Sequence, residues 1–203
     1  MLALKKIAIT GGIASGKSSV CQFFQELGAF VVSADALVHE LLSLENSLGQ
    51  QVLNLFGPQI LHNGKIDRRM LAAKVFADPL LLEALEKLLH PAVLQKIEEL
   101  YEQAKQKQAY TLFVVEIPLL YEIHSEDAYD AVVAVLADEP LAKKRFCEAG
   151  HSQDEYDKRM NRQWQPKEKA KRANYTLINN GSLAELRQEV VKLNSILKEN
   201  QFP

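Results

Sequence analysis

The chain of 203 residues has little cysteine, no long apolar run and almost no net charge. Its two cysteines, Cys21 and Cys147, lie in helical patterns without the spacing of metal ligands, so we expect packing thiols in a reducing compartment. No apolar run approaches the roughly 20 residues that a membrane helix needs. The first six residues lead directly into a predicted strand, and we therefore expect no signal peptide. These shortages predict a cytoplasmic protein that does not use a membrane.

The small net charge bears on the choice of partner. Lysine and arginine number 24 against 26 acidic residues, which gives −2 at neutral pH. Domains that bind nucleic acid usually carry a basic excess on one face, and anionic membranes attract the same kind of surface. The net charge therefore argues against nucleic acid or an anionic membrane as the main partner, while the apolar share of 47% is ordinary for a globular protein.

One stretch carries most of the functional information: Gly11-Gly12-Ile13-Ala14-Ser15-Gly16-Lys17-Ser18. It fits the pattern Gly-x-x-x-x-Gly-Lys-Ser/Thr, follows a short apolar run and precedes a helical pattern that ends at Gly28. A strand, a glycine-rich turn and a helix form a phosphate cradle, because backbone N–H groups turn inward and the helix dipole adds positive charge. Lys17 would reach the β- and γ-phosphates, and the Ser18 hydroxyl would coordinate a phosphate-bound Mg²⁺. The stretch predicts a nucleoside-triphosphate site.

Five short apolar segments read as strands, and helical patterns separate them. They are Lys6–Thr10, Ala29–Val32, Leu112–Glu116, Ala131–Leu136 and Tyr175–Ile178. This alternation predicts an α/β fold with a five-stranded parallel sheet flanked by helices. The core would comprise residues 1–34, 109–137 and 173–203.

Two helical segments interrupt this core. Residues 35–108 have almost no strand signal and predict an inserted helical lobe, in which Asp78-Pro79 starts a helix and His90-Pro91 breaks it and opens another to about Gln108. Residues 138–172 predict two cation-rich helices, the second opened by a capping box at Ser152. A further capping box at Ser182 opens a C-terminal helix. Its predicted inward residues are Leu183, Leu186, Val190, Leu193 and Leu197.

Two acidic residues follow predicted strands at the edge where α/β sheets bind ligands. Asp35 comes just past the second strand and could accept or orient the proton of an attacking hydroxyl; the alternative is that it only caps the next helix. Glu116 ends the third strand, where phosphate-loop proteins often place an acid that holds Mg²⁺ through water. The alternative is a glutamate that faces the surface.

Other candidates lie farther along the chain. The apolar run Ile117–Tyr121 would line the crevice after the third strand. Among residues 138–172 we expect one or two of Arg145, Arg159 and Arg162 to contact the transferred phosphoryl group, because arginine forms bidentate pairs with phosphate. The other cations there predict a solvated face. His90, at a predicted helix end, is typical of a structural histidine.

Across nearly its whole length the sequence resembles the dephospho-CoA kinase family. The resemblance rests on the phosphate loop, Ser33-Ala34-Asp35, Leu88-Leu89-His90-Pro91, Glu116-Ile117-Pro118-Leu119-Leu120-Tyr121-Glu122, Arg159–Gln163 and Asn179-Asn180-Gly181. It implies transfer of the ATP γ-phosphoryl group to the ribose 3′-hydroxyl of dephospho-CoA, in a P-loop kinase fold. Ala14 and Ser33 replace a glycine and an aspartate of the family, and an alanine at 14 predicts that the backbone there avoids positive φ.

The resemblance also implies roles for particular residues. Asp35, Lys17, Arg145 and Arg159 would be catalytic, and Ser18 and Glu116 would hold Mg²⁺. The residues implied to bind ATP are Gly11, Gly12, Ile13, Ala14, Ser15, Gly16, Lys17, Ser18, Ser19, Asn179 and Gly181. The residues implied to bind dephospho-CoA are Asp35, His90, Pro118, Leu119, Leu120 and Glu122, within a lobe of residues 35–108. Residues 138–172, which we name the lid segment, would close over ATP.

Three other functions compete with this one. A P-loop kinase of another small acceptor, such as a nucleoside monophosphate, would share the loop, sheet and lid. A GTPase-like switch would need Asn-Lys-x-Asp and Asp-x-x-Gly, and neither occurs in the sequence. A nucleotide-binding module without catalysis is suggested only by Ser33 and by a lid segment that is short of one cation. The sequence does not predict the oligomeric state.

Overall fold

Five parallel strands form the main sheet of the protein. The computed structural model describes residues 4–199. In chain order the strands are β1 Lys5–Gly11, β2 Phe30–Ser33, β3 Leu61–His62, β4 Lys65–Ile66, β5 Leu112–Glu116, β6 Ala131–Leu136 and β7 Tyr175–Ile178. The main sheet has the order β2-β5-β1-β6-β7, and each neighbouring pair is parallel. The predicted α/β fold with a five-stranded parallel sheet is confirmed.

Helices connect these strands. They are α1 Lys17–Glu26, α2 Ala34–Leu41, α3 Ser47–Phe56, α4 Arg68–Ala77, α5 Pro79–Lys107, α6 Glu139–Glu148, α7 Gln153–Met160, α8 Pro166–Arg172 and α9 Leu183–Glu199. Short 3₁₀ turns cover Pro58–Ile60 and Glu126–Ala128. Between residues 4 and 199, no helix is long and apolar enough to cross a membrane.

The chain divides into two compact units. The first comprises the chain up to Ser33 and from Tyr101 onward, and the second is Ala34–Leu100. In the first, fully buried Ile7 and Ile9 of β1 pack in one cluster with Phe24 of α1 and with α9. Helices α1 and α9 thus remove the apolar side chains on this face of the sheet from water. The division predicted from the sequence, a lobe of residues 35–108 and a lid of residues 138–172, stays a prediction.

The second unit has a core of its own. Val52 and Phe56 of α3 pack with Leu71 and Val75 of α4 and with residues of α5, and all four are buried. Asp67 caps α4, since its carboxylate accepts hydrogen bonds from the backbone N–H groups of the second and third helical residues.

A β-hairpin in the second unit was not predicted. Leu61–His62 pairs antiparallel with Lys65–Ile66 across Asn63 and Gly64, both of which have positive φ. Asn-Gly is the preferred sequence of a two-residue hairpin turn, because both positions tolerate positive φ. This short hairpin adds two strands of two residues each to a segment for which we expected almost none, although the turn signal was present.

The helix break predicted at His90-Pro91 is also wrong. Helix α5 runs without interruption from Pro79 to Lys107, with Pro91 inside it. A proline in a helix interior removes one hydrogen bond and costs about 3 kcal/mol. Leu85, Val93 and Ile97, on both sides of Pro91, are buried, and burying each such side chain gains about 1.5–3 kcal/mol. Tertiary packing on both sides thus outweighs the local signal. The start of this helix was predicted correctly, since Asp78 caps it.

Two details of the remaining helices differ from expectation. The lid segment contains three helices, because Pro166 opens α8 after α6 and α7. In α9 four of the five predicted inward residues are buried, but Leu183 is 61% exposed. Leu183 is the first residue of α9, and helical side chains point back toward the N-terminus, so this one projects beyond the surface that α9 covers.

Candidate active site

The glycine-rich loop lies between β1 and α1, as predicted. Gly16, the residue before α1, has φ +98°, and a side chain there would run into the amide of Asn179. Gly12 is restricted for another reason, since a Cβ would lie 2.8 Å from Cγ of Pro166. The two glycines are therefore required by backbone conformation and by close approach. The loop leaves the N-terminal N–H groups of a ten-residue helix, α1, next to it, as anion binding requires.

Lys17 lies across this loop. Its Nζ donates hydrogen bonds to the carbonyl oxygens of Gly12, at 2.7 Å, and Gly11, at 3.4 Å. The residue is buried, so its charge is placed where a phosphate group would meet little competing water. The side chain is thus already aimed at the concave face of the loop.

Ser18 and Glu116 are brought together, although 98 residues separate them. The Ser18 hydroxyl donates to Glu116 Oε1 at 3.0 Å. The sheet causes this meeting, because Glu116 ends β5 opposite Ile9 of β1, and β1 leads into the loop. Both side chains present oxygen atoms, the ligands that Mg²⁺ prefers. Glu116 is partly exposed.

Asn179 supports the phosphate loop from the end of β7, which lies two strands away from β1 in the sheet. It follows β7, is 3% exposed, and donates from Nδ2 to the carbonyl of Ser15 at 2.8 Å. The backbone carbonyl of Asn179 accepts a hydrogen bond from Nη1 of Arg145 at 2.9 Å. Arg145 of α6 is thereby linked to the phosphate loop through Asn179. Gly181, two residues on, is exposed.

Arg159 has a different environment. Its guanidinium lies 5.3 Å from the ring centre of Phe146 and 4.0 Å from the Glu155 carboxylate, all within the lid segment. Arg159 is exposed. Arg145 is thus linked to the phosphate loop through Asn179, whereas Arg159 packs on Phe146 and Glu155.

The tip of the loop packs on the lid segment. Ile13 and Ala14 contact an apolar cluster that includes Phe146 of α6 and Tyr156 of α7. Ala14 has φ +51°, which corrects the expectation of a backbone without positive φ. A left-handed conformation costs an alanine roughly 1–2 kcal/mol. Contact of its methyl group with the cluster offsets part of this cost, which a glycine could not do.

The segment after β5 is more internal than predicted. Leu120 and Tyr121 are almost completely buried, and Pro118 and Leu119 are partly buried. Burial, with a further contribution from the Glu126 carboxylate, raises the pKa of Tyr121 to about 12. Glu122 forms an internal ion pair with Lys169, Nζ to Oε1 2.7 Å.

Lys169 is a residue that the sequence analysis missed, because it stands among seven lysines and arginines expected to be solvated. The available signal was Glu122, a carboxylate at the end of an apolar run, which needs a partner when it is buried. Cys21 of α1 behaves as expected for a packing thiol: burial, with a contribution from Glu116, raises its pKa, so the thiol stays neutral.

Asp35 and His90 belong to the second unit. Asp35 is the second residue of α2 and is exposed; it lies in the first turn of this helix and not at the capping position before it. A carboxylate in a first turn is favourable to the helix dipole. His90 is partly buried inside α5. Asp35 follows the last residue of β2, Ser33, by two positions in the chain.

The parallel sheet order, the loop between β1 and α1, and the acid at the end of β5 define a P-loop kinase. The profile of the family described as Dephospho-CoA kinase matches residues 5–185. The chain belongs to the dephospho-CoA kinase family.

Comparison with individual proteins agrees with this assignment. The chain is 46% identical to the dephospho-CoA kinase of Protochlamydia amoebophila over 200 residues, which cover 98% of each chain. It is 44% identical to that of Chlamydia pneumoniae, over 94% of this chain and 95% of the other. A solved structure of dephospho-CoA kinase from Campylobacter jejuni superposes with a TM-score of 0.70 at 29% identity, covering 96% of this chain and 97% of that one.

Proposed function

We propose that this protein transfers the γ-phosphoryl group of ATP to the ribose 3′-hydroxyl of dephospho-CoA, giving CoA and ADP. Two observations together carry the proposal. The chain is similar to dephospho-CoA kinases over nearly its whole length, and its phosphate loop is formed, with Lys17 across it and Ser18 hydrogen-bonded to Glu116. Such a loop supplies the positioning and electrostatic stabilisation on which phosphoryl transfer depends.

In this reaction the loop binds the β- and γ-phosphates. Its backbone N–H groups donate to the phosphate oxygens, and Lys17 exchanges its carbonyl partners at Gly11 and Gly12 for those oxygens. Because Lys17 is buried, its charge is weakly screened and stabilises the negative charge that develops during transfer.

Mg²⁺ fits the residues present. Ser18 and Glu116 offer a hydroxyl and a carboxylate 3.0 Å apart beside the loop, and hard oxygen donors are what this ion requires. We propose that Ser18 ligates it and that Glu116 holds it through water. Bound Mg²⁺ would neutralise charge on the phosphates.

Asp35 is proposed as the residue that accepts or orients the proton of the acceptor hydroxyl. Its support is its place in the chain, two residues beyond β2 and in the first turn of an eight-residue helix, together with the family resemblance. A carboxylate at the carboxyl edge of a parallel sheet is suited to that task.

The remaining assignments extend this proposal. Residues 35–108, including His90, and the segment Pro118–Glu122 would bind dephospho-CoA. Residues 138–172 would close over ATP and exclude water, with Arg145 and Arg159 toward the phosphoryl group. Asn179 and Gly181 would lie on the nucleotide side of the loop, which the hydrogen bond from Asn179 to Ser15 supports.

The proposed partners are therefore two small molecules, ATP and dephospho-CoA. A reducing, cytoplasmic location stays a prediction. It is supported by the two cysteines, both of which are free thiols.

An acceptor comparison tests the proposed function. ADP release would be measured with ATP and Mg²⁺ in the presence of dephospho-CoA, AMP, CMP or shikimate. We expect release that depends on dephospho-CoA and a product phosphorylated at the 3′-hydroxyl. Turnover with AMP or CMP alone would assign the protein to another acceptor class, and binding of ATP without acceptor-dependent turnover would make it a non-catalytic module.

A further inference from the structure

Lys169 is a lysine buried completely in the first unit. Its side chain is 0% exposed, and its Nζ lies 2.7 Å from Glu122 Oε1 and donates to the carbonyl of Pro118 at 2.6 Å. Both contacts of this ammonium group are thus directed into the segment that follows β5. Lys171, on the same helix, is 71% exposed and forms a surface ion pair with its helical neighbour Glu168 at 2.7 Å.

Both acceptors of Lys169 have a second partner in another part of the unit. Glu122 Oε1 also accepts the backbone N–H of Trp164, at 2.8 Å, just before α8. The Pro118 carbonyl also accepts the hydroxyl of Thr10, at 3.3 Å. Thr10 lies next to the first glycine of the phosphate loop. The lysine therefore joins α8 and the segment after β5 to the end of β1.

The two segments that Lys169 joins each contact the phosphate loop directly. Helix α8 begins at Pro166, whose ring lies against Gly12. The segment after β5 follows directly on Glu116, the last residue of β5, whose carboxylate accepts a hydrogen bond from the hydroxyl of Ser18. A change in the distance between α8 and this segment would therefore move Glu116 relative to the loop.

The pair is not what stability alone would favour. Burial lowers the pKa of Lys169, and the Glu122 carboxylate opposes this by raising it. Well-packed apolar side chains in place of a buried ion pair are often equally stable or more stable. A directional network of this kind is better suited to holding several segments in one arrangement.

We propose that Lys169 is a positioning residue for phosphoryl transfer, which holds the segment from Glu116 to Glu122 at a fixed place beside the phosphate loop through Pro118 and Glu122. This inference rests on the proposed function, because phosphoryl transfer is the step that needs the side chains of Glu116 and Ser18 held next to each other. Glu122 contributes to this arrangement through its ion pair with Lys169.

Four variants of the full chain test the inference. Lys169→Met removes the charge at similar length, and Lys169→Arg retains it. The double variant Lys169→Met with Glu122→Gln removes both charges but leaves an amide oxygen that accepts the Trp164 N–H. Lys171→Met is the matched control on the exposed face of α8. The readouts are thermal midpoint, kcat, KM for both substrates, and emission of Trp164, the only tryptophan, whose ring stacks on Tyr121 with centroids 5.9 Å apart.

We expect Lys169→Met to melt at a lower temperature, to lose roughly 10- to 100-fold in kcat with KM for ATP nearly unchanged, and to shift the Trp164 emission. The double variant should recover much of the thermal midpoint, because it no longer buries an unpaired carboxylate. It should not recover kcat, because the hydrogen bond from residue 169 to the Pro118 carbonyl is still absent. Lys169→Arg should restore part of kcat, and Lys171→Met should resemble the parent.

The inference is overturned if Lys169→Met turns over at the parental rate, or if the double variant regains kcat together with stability. Failure of the proposed function is a different result. It would appear as a parent protein that does not phosphorylate dephospho-CoA. The variants would then be compared by their rates of ATP hydrolysis without acceptor, and the same loss of rate is expected for Lys169→Met. Hydrolysis by Lys169→Met at the parental rate would count against the inference.

Discussion

The side-chain amide of Asn179 donates a hydrogen bond of 2.8 Å to the carbonyl of Ser15, which lies 164 residues earlier in the chain. This contact ties the residue after β7 to the phosphate loop after β1, on the far side of β6 in the sheet. Loops that must bind a triphosphate in one conformation benefit from such support, because preorganised donors do not have to rearrange during the reaction.

Replacing Asn179 with alanine is expected to weaken both the fold and the loop. The Ser15 carbonyl would lose its buried donor, which typically costs about 1–3 kcal/mol, and ATP affinity should fall because the loop is less constrained. Urea denaturation and nucleotide titration measure the two effects. Thr176→Ala, an exposed position in β7, is the control. Parental stability in Asn179→Ala would show that the hydrogen bond contributes nothing.

Lys17→Ala is expected to reduce kcat by about 100-fold or more, since it removes one preorganised electrostatic contact to the phosphates. The measurement is ADP release with dephospho-CoA as acceptor. Lys167→Ala, an exposed lysine at the start of α8, serves as the control and should turn over normally. Near-normal turnover of Lys17→Ala would contradict the site as a whole.

Asp35→Asn is expected to bind ATP like the parent while transfer to dephospho-CoA is largely abolished. The amide keeps the size of the side chain but cannot accept the proton of the hydroxyl. ATP titration and acceptor-dependent ADP release separate the two properties. Glu40→Gln, also exposed on α2, controls for the loss of a carboxylate. Normal transfer in Asp35→Asn would show that Asp35 has no part in the reaction and acts only by stabilising the first turn of α2.

Ala14→Gly tests the left-handed backbone in the loop. Relief of φ +51° should gain roughly 1 kcal/mol, and loss of the methyl contact with the lid segment should cost about 0.8 kcal/mol, so the net change in unfolding free energy should be small. Ala73→Gly, an exposed position inside α4, should instead cost about 1 kcal/mol. Equal losses in both variants would be inconsistent with the strained conformation at Ala14.

Glu185 should make stability depend on pH at the acid end. The backbone N–H of Ser182, followed by its hydroxyl, holds the pKa of Glu185 below its ordinary value of 4.5. A carboxylate with a lowered pKa in the folded state stabilises the fold above the unfolded pKa, and this contribution is lost as pH falls through the folded pKa.

Glu185→Gln is therefore expected to be less stable than the parent at neutral pH and equally stable at pH values below the folded pKa. Thermal unfolding between pH 7 and pH 3 measures this convergence. Glu189→Gln, on the exposed face of the same helix, is the control. A difference between parent and Glu185→Gln that does not change with pH would contradict the assignment.

Much of the fold could be predicted from local sequence. The five strands of the main sheet were predicted to within one residue at each end, because buried parallel strands are short apolar runs between turns. The capping boxes at Ser152 and Ser182 were predicted correctly, since a capping box depends on residues only three positions apart. The turn at Asn63-Gly64 had the same kind of local signal, and it was overlooked.

The failures have a common cause. Pro91 would end an isolated helix, but packing of Leu85 and Ile97 on either side keeps α5 continuous. Lys169 looks like its exposed neighbours in sequence, and it differs only because Glu122, distant in the chain, folds against it. Neither outcome follows from a window of neighbouring residues, because burial is decided by segments far away along the chain.

The sequence by itself determined that this protein has a phosphate loop followed by a helix, a parallel sheet and the motifs of the dephospho-CoA kinase family, since glycine conformation, apolar runs and caps act over a few residues. Only the tertiary structure decided that Ser18 meets Glu116, that Asn179 supports Ser15 and that Lys169 is buried on Glu122. Those contacts depend on which strands lie side by side, and strand order is set by the packing of the whole sheet.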